Sequence, residues 1–154
     1  AREVTEDMRR IVWALGSGQD TLGDLLAYIR SSAAELMERA EVDLTTDIRI
    51  TTPGKKLSTD QRRHLLLITK EVLLNVVKHA QAEHVTMRSV QDNGSLRLVI
   101  ADDGIGFDTT QRIGNGTGTT SLFDRVKALG GTVDLHSTVG EGTRITIVVP
   151  LTAV

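Results

Sequence analysis

The stretch Glu71-Val72-Leu73-Leu74-Asn75-Val76-Val77-Lys78-His79-Ala80 limits the fold more than any other. At about 100° per residue, Glu71, Asn75 and Lys78 share a narrow arc of one helix, with His79 beside them. Most of the remaining circumference is apolar: Leu66, Val72, Leu73, Leu74, Val76 and Val77. A helix apolar around most of its turn is a buried helix. Unpaired polar groups are costly inside a protein, so the carboxylate, amide and ammonium on one stripe need partners. Glu71 and Lys78, two turns apart, could share an internal salt bridge. Alternatively, the stripe serves a ligand. The helix alone leaves both readings open.

The flanking elements narrow the choice. Val4, Met8, Ile11, Val12 and Leu15 recur at helical spacing in residues 2–15, and Gly16-Ser17-Gly18 ends that run. So short a helix is marginal alone, so its apolar seam must pack on the domain or on a second chain. Asp20-Thr21 caps a second helix, about 22–40, with an apolar stripe from Leu22 to Ala40. Residues 42–50 alternate as a strand, Thr51-Thr52-Pro53-Gly54 turns, and Ser58 or Thr59 caps the long helix, which runs to about 81. Strands 84–91 and 95–101 are joined by Asp92-Asn93-Gly94, a strong hairpin signal. A helix carrying Leu122, Val126 and Leu129 follows, with Thr119, Thr120 and Ser121 as candidate caps, and Gly130-Gly131 stops it. Strands 132–138 and 143–151 close the chain around Val139-Gly140-Glu141-Gly142. Hairpin-joined strands pair antiparallel. The expected architecture is α+β, a two-layer α/β sandwich. Helices cover one face of a mostly antiparallel sheet, and the long helix lies mid-layer.

Two glycine clusters fall at the ends of these elements. Asp102-x-Gly104-x-Gly106 follows a buried strand, where glycine lets a flat ligand lie on the main chain and a fixed aspartate can accept from a purine amine. A simple aspartate-stabilised turn has the same signature. Gly114-x-Gly116-x-Gly118 precedes a helix, whose first N–H groups suit phosphate. It lacks the lysine and spacing of a Walker loop, and a solvated glycine loop is the plainer reading. Asn75 can offer its carbonyl oxygen to Mg²⁺, a hard ion, and Lys78 can offset phosphate charge. The net charge of −2 argues against nucleic acid as partner, and the lack of cysteine excludes disulfide and thiolate chemistry.

Together these segments resemble a known family. Residues 57–151 are similar to the ATP-binding catalytic domain of sensor histidine kinases, in the superfamily of gyrase, heat-shock-90 and mismatch-repair ATPases (the GHKL superfamily, with its Bergerat-type fold). Glu71-x-x-x-Asn75-x-x-Lys78-His79-Ala80 resembles the N box, and Asp102-x-Gly104-x-Gly106-Phe107 the first glycine box. Gly116-x-Gly118, with the helix leading to Gly130-Gly131, resembles the second, and Gly140-x-Gly142-Thr143 the turn near the adenine. The Lys-His-Ala ending and the short lid resemble kinases paired with helix-turn-helix response regulators. Thr119 and Ser121 depart from the usual leucine and asparagine.

The resemblance implies a role for each matched residue. Asp102 would bind the adenine amine, Asn75 would hold Mg²⁺, and Lys78 and His79 would approach the phosphates. Glu71 would orient or deprotonate the acceptor, or a water. Gly104, Gly106, Gly116 and Gly118 would supply backbone contacts and lid hinges, with Thr119 and Thr143 completing the nucleotide site. Residues 1–19 would end an upstream helical dimerisation region, and 20–154 would form the catalytic domain. The expected activity is histidine protein kinase chemistry, passing the γ-phosphate of ATP to a histidine outside this chain. None of His64, His79, His84 and His136 is followed by an acid. Implied partners are the helical phosphoacceptor domain, a response regulator and a second copy of the full protein. The expected location is cytoplasmic, free or as the intracellular part of a membrane-bound receptor. Two other readings are a nucleotide-operated switch module and an anti-sigma-type serine kinase.

Overall fold

The computed structural model describes residues 20–108 and 117–151, without the side chains of 117–121. The expected helix at 2–15, and Gly114 and Gly116 of the second glycine cluster, lie outside the described residues. Helix α1 (Leu22–Arg39) is capped by Thr21, whose hydroxyl accepts from the Asp24 N–H at 3.1 Å. Strand β1 (Asp43–Arg49) leads to α2 (Thr59–Asn75), capped by Ser58 through the Gln61 N–H. The chain continues from α2 as a π-helical turn, Val76–Ala80, and leaves it through Gln81 in the left-handed conformation. Strands β2 (His84–Asp92) and β3 (Ser95–Asp102) form the hairpin over Asn93 and Gly94, whose φ angles of 49° and 80° suit a two-residue turn. Helix α3 (Thr117–Ala128), then β4 (Thr132–Thr138) and β5 (Gly142–Pro150), complete the order.

The sheet runs β1-β2-β3-β5-β4, antiparallel except for β1 beside β2. One face carries Val85, Met87, Leu96, Leu98, Ile100, Ile145, Ile147 and Val149 into the core. Period-2 alternation turns Arg88, Arg97 and Arg144 to the opposite, open face. The helices cover the apolar face, and α2 touches both α1 and α3, so it lies mid-layer as expected. Burying this apolar surface is the main stabilising term.

The expectation of an enclosed α2 needs one correction. Only one side of the helix is buried, through Leu65, Leu66, Ile68, Val72 and Leu73. Val77 is 38% exposed, and Leu67 and Leu74 are half-buried. The polar stripe therefore opens to solvent and can take a partner from outside. Helix α3 begins at Thr117, earlier than the candidate caps Thr119 to Ser121.

Candidate nucleotide site

Three core-facing strand positions end their apolar rows in polar side chains. Along β3, Leu96, Leu98 and Ile100 point into the core, and the same parity brings Asp102 to the helix side at the strand's end. Asp102 is registered with Thr143 of β5, and Thr143 with Ser137 of β4. Asp102, Thr143 and Ser137 thus form a polar cross-strand row capping the apolar rows. The sequence carries no signal for Ser137, because a serine in an alternating strand reads as a surface residue. Only the pairing register reveals its place.

The loop after β3 is tied down on both sides. The Asp102 carboxylate accepts from the Gly104 N–H at 2.8 Å. The Ile105 N–H donates to the Ala80 carbonyl at the end of the π turn. The Asp103 carboxylate accepts from the Glu83 and His84 N–H groups, both at 2.9 Å. On the other side, the Gly140 N–H donates to the Ile105 carbonyl, and the Phe107 N–H donates to Ser137 Oγ at 2.8 Å. Gly106 adopts φ +63°, and a Cβ there would strike the Thr138 carbonyl, so this position takes glycine for two reasons.

These elements enclose a cleft of about 850 Å³, solvent mouth included. Its walls include Asn75 and His79 from α2 and its π turn, Asp102, Gly106 and Phe107 from the loop, Phe123 from α3, and Thr143 from β5. Its floor is apolar, with Val72, Ile100, Leu122 and Ile145. An apolar slot with a few convergent polar groups fits a planar heteroaromatic ring. Burial pushes the Asp102 carboxyl up from its ordinary value, and the Gly104 and Thr143 N–H groups hold back part of the rise.

A second groove adjoins the first. Leu67, Lys70, Glu71, Leu74, Asn75, Lys78 and Arg125 line it, so Asn75 stands on the border of both. The expected stripe is therefore divided. Asn75 and His79 face the Asp102 cleft, while Glu71 and Lys78 face the groove between α2 and α3. A π turn advances fewer degrees per residue than an α-helix, so a wheel drawn at constant pitch misplaces Lys78 and His79. Glu71 lies 3.9 Å from Arg125 on α3, not against Lys78. Burial raises the Glu71 pKa, and the Arg125 charge opposes that. Gly118 lies in the first turn of α3, Thr119 follows it, and the side chain of Thr119 is outside the described set. Among the described residues no cluster of His, Cys, Asp and Glu could hold a metal by itself.

The class defined by this fold and cleft is a two-layer α/β domain with an apolar cleft that ends at an aspartate at the end of a strand. Residues 60–153 match the model of the histidine kinase-, DNA gyrase B- and HSP90-like ATPases. The chain is 36% identical over 148 residues to the histidine-protein kinase/phosphatase UhpB of Salmonella typhimurium, covering 96% of this chain and 29% of that protein. It is 32% identical over 117 residues to the sensor histidine kinase LiaS of Bacillus subtilis, covering 76% of this chain and 31% of that protein. The chain thus spans under a third of the length of these relatives. In fold it matches the histidine kinase domain of the blue-light activated kinase of Erythrobacter litoralis, with TM-score 0.72 and 23% identity over 93% of this chain and 74% of that one. It also matches full-length ShkA, solved in complex with AMPPNP, with TM-score 0.68 and 19% identity over 86% of this chain and 30% of that one. The chain belongs to the histidine kinase-, DNA gyrase B- and HSP90-like ATPase family, among the catalytic ATP-binding domains of sensor histidine kinases.

Proposed function

We propose that this domain holds Mg²⁺-ATP in the Asp102 cleft and donates the γ-phosphoryl group to a histidine presented from outside the chain. The observation that carries the reading is the convergence of Asn75 and His79, from α2 and its π turn, with Asp102, from the end of β3, on one apolar cleft. The adenine ring would lie on the apolar floor with its amine toward Asp102. The phosphates would extend past Asn75 and His79 toward the N-terminus of α3, where free N–H groups favour negative charge. Lys78, on the adjoining groove, would offset further phosphate charge.

Asn75 fits a Mg²⁺ ligand. Its side chain makes no hydrogen bond among the described residues, and a single amide oxygen suits an ion that otherwise binds phosphate and water. When bound, the ion neutralises charge on the transferring phosphate. The chain's own residues position the reactants. Phosphoryl transfer proceeds as an acceptor imidazole nitrogen bonds to the γ-phosphorus and the bond from that phosphorus to the leaving ADP oxygen breaks. The ring proton released would pass to Glu71, whose raised pKa improves it as a base near neutral pH. The groove holding Glu71 is open to solvent and adjoins the cleft, so an incoming helix could deliver its imidazole there.

The parent protein, on this reading, is a dimeric two-component kinase with a helical phosphoacceptor region and a response regulator. Similarity to sensor histidine kinases over most of the chain favours histidine over serine as acceptor. Among the described residues, no helix is long and apolar enough to cross a membrane. Calorimetric titration with ATP and ADP, with and without Mg²⁺, tests the reading. Saturable binding of both is expected, and no binding at millimolar nucleotide would refute it.

A further inference from the structure

The polar row at the end of the sheet contains a hydroxyl pair whose proton positions follow from its neighbours. Among the described residues, Ser137 Oγ has three polar contacts. The Phe107 N–H lies at 2.8 Å, the Gly142 carbonyl oxygen at 3.1 Å and Thr143 Oγ1 at 2.8 Å. A serine hydroxyl has one proton to donate and two lone pairs to accept with. The Phe107 N–H can only donate, and the Gly142 carbonyl can only accept. Thr143 can do either.

One arrangement satisfies all three contacts. Ser137 accepts from Phe107, donates to Gly142, and accepts from Thr143. In the reverse arrangement Ser137 donates to Thr143, and the Gly142 carbonyl then faces a serine lone pair at 3.1 Å with no proton between them. Unmatched polar groups in a part-buried site are costly, so the first arrangement prevails. It spends the Thr143 proton on Ser137 and leaves only lone pairs of Thr143 Oγ1 toward the cleft, which Thr143 lines together with Asp102.

We infer that Ser137 is a specificity-determining residue: it fixes the Thr143 hydroxyl as an acceptor, so that Thr143 and Asp102 together select a 6-amino purine against a 6-oxo purine. Asp102 and Thr143 are register partners on adjacent strands, so their acceptors stand side by side at the cleft wall. An exocyclic amine carries two N–H donors, and it can satisfy such a pair directly or through one water. A 6-oxo group carries none and would face two acceptors. Sites with matched hydrogen bonds reject the mismatched analogue far better than apolar pockets do. Ser137 acts through Thr143 and does not need to touch the nucleotide. Its bond to the Phe107 N–H also anchors the loop that carries Gly106.

The inference rests on ATP binding in this cleft, and the test separates the two. Binding of ATP and of inosine triphosphate is measured by calorimetry on the wild type, Ser137→Ala and Thr143→Val. Failure of the wild type to bind ATP would refute the proposed function itself. Given that it binds, the wild type is expected to prefer ATP. Ser137→Ala frees the Thr143 proton, so the ratio of ATP to inosine triphosphate affinity should fall roughly 3- to 10-fold. Thr143→Val removes the second acceptor and should lower the same ratio, which gives a readout even where Ser137→Ala fails to fold. In the double variant, removal of Ser137 should lower the ratio no further than Thr143→Val alone, because the effect passes through Thr143. An unchanged ratio in folded Ser137→Ala, or in Thr143→Val, would overturn the inference and leave ATP binding intact. So would a ratio that falls independently in the double variant.

Discussion

Gly104 lies so close to Ala80 that no side chain fits between them. A Cβ built on Gly104 would collide with the Ala80 carbonyl oxygen, which accepts from the Ile105 N–H at 2.7 Å. The strand-end loop carrying Asp102 and the turn carrying His79 therefore meet backbone to backbone. Two walls of the cleft are fixed relative to each other by this contact.

Gly104→Ala should separate those walls. The inserted methyl must push the loop off Ala80, at a cost of about 1–3 kcal/mol in stability, the range for overpacking. ATP affinity should fall with it, because Asp102 and Asn75 no longer face each other correctly. Gly94→Ala is the control. That hairpin glycine has open space around it but φ +80°, so a side chain there costs only about 1 kcal/mol and lies far from the cleft. Urea melts should show both losses. Titration with ATP should show a loss only for Gly104→Ala, and equal affinities would sink the claim that this contact shapes the site.

Asp102→Asn should act on binding and stability in opposite directions. The carboxylate already accepts from the Gly104 N–H, and the amide that replaces it must turn its NH2 toward either that N–H or the ligand amine. Nucleotide affinity should drop by roughly 1.5–3 kcal/mol, the range for a hydrogen bond to a charged group. The folded protein, however, holds the Asp102 pKa above its ordinary value, chiefly through burial. An acid raised in this way binds protons more tightly when folded. Its stability contribution is present below the unfolded pKa of about 3.9 and is lost as pH rises through the folded value. The empty variant should therefore melt higher than the wild type at neutral pH. A lower melting temperature there would show that the carboxylate is mainly structural.

Asp103, the next residue, should behave in the reverse sense. The His84 and Glu83 N–H groups hold its pKa below the ordinary value. Its contribution is present above the unfolded pKa and is lost as pH falls through the folded one, below about pH 4. Asp103→Asn keeps an oxygen for the two N–H groups and removes the titration. Its stability curve should be flatter than the wild type's on the acid side, lying below it at neutral pH and meeting it at low pH. An acid limb of unchanged steepness would exclude Asp103 as a source of that slope.

Asn75→Ala should weaken the Mg²⁺-dependent part of ATP affinity and leave the fold almost untouched. Asn75 is only half-buried, at the border of the two grooves. ATP titrations with Mg²⁺ and with excess chelator should converge in the variant and differ in the wild type. A large drop in melting temperature with the metal dependence retained would make Asn75 a structural residue.

How much of this was legible follows from the range of each interaction. Local signals carried the elements: Thr21 and Ser58 cap, Asn93-Gly94 turns, and Gly130-Gly131 stops α3, as their residue types require. The motif residues Asp102, Asn75 and His79 were legible too, because their spacing resembles an ordered family pattern, and the fold brings them to one cleft. What escaped is non-local. The Glu71–Arg125 approach joins two helices far apart in sequence, so a helical wheel offered only Lys78 as a partner. Ser137 gains its place from the β4–β5 register, and the parallel pairing of β1 with β2 depends on how α2 crosses the sheet. The π turn after Asn75 has no marker in its residues, Val76 to Ala80.

None of the chain's own histidines should accept phosphate. Transfer needs an imidazole in line with the γ-phosphorus at reacting distance. His79 lines the Asp102 cleft, where on the proposed reading it would stabilise phosphate charge and could not swing round to attack from the far side. His64 lies on α2 about four helical turns before His79, and its Nδ1 is buried. Burial, with Arg63 and Arg125 nearby, lowers its pKa. His84 opens β2 at the sheet edge of the loop, within 3.5 Å of Asp43, and its strand position gives it no tether long enough to enter the cleft. His136 pairs with Asp134 at 3.0 Å, and its strand parity is opposite to that of Ser137, so it faces the open side of the sheet. Incubation with labelled ATP and Mg²⁺ should give no acid-labile protein phosphate on this chain. Adding a helical segment that carries an exposed histidine, taken from a full-length relative, should allow transfer to that segment, and Glu71→Gln should slow it without weakening ATP binding. Robust phosphohistidine on His64, His79, His84 or His136 would overturn the division of labour between this domain and its acceptor.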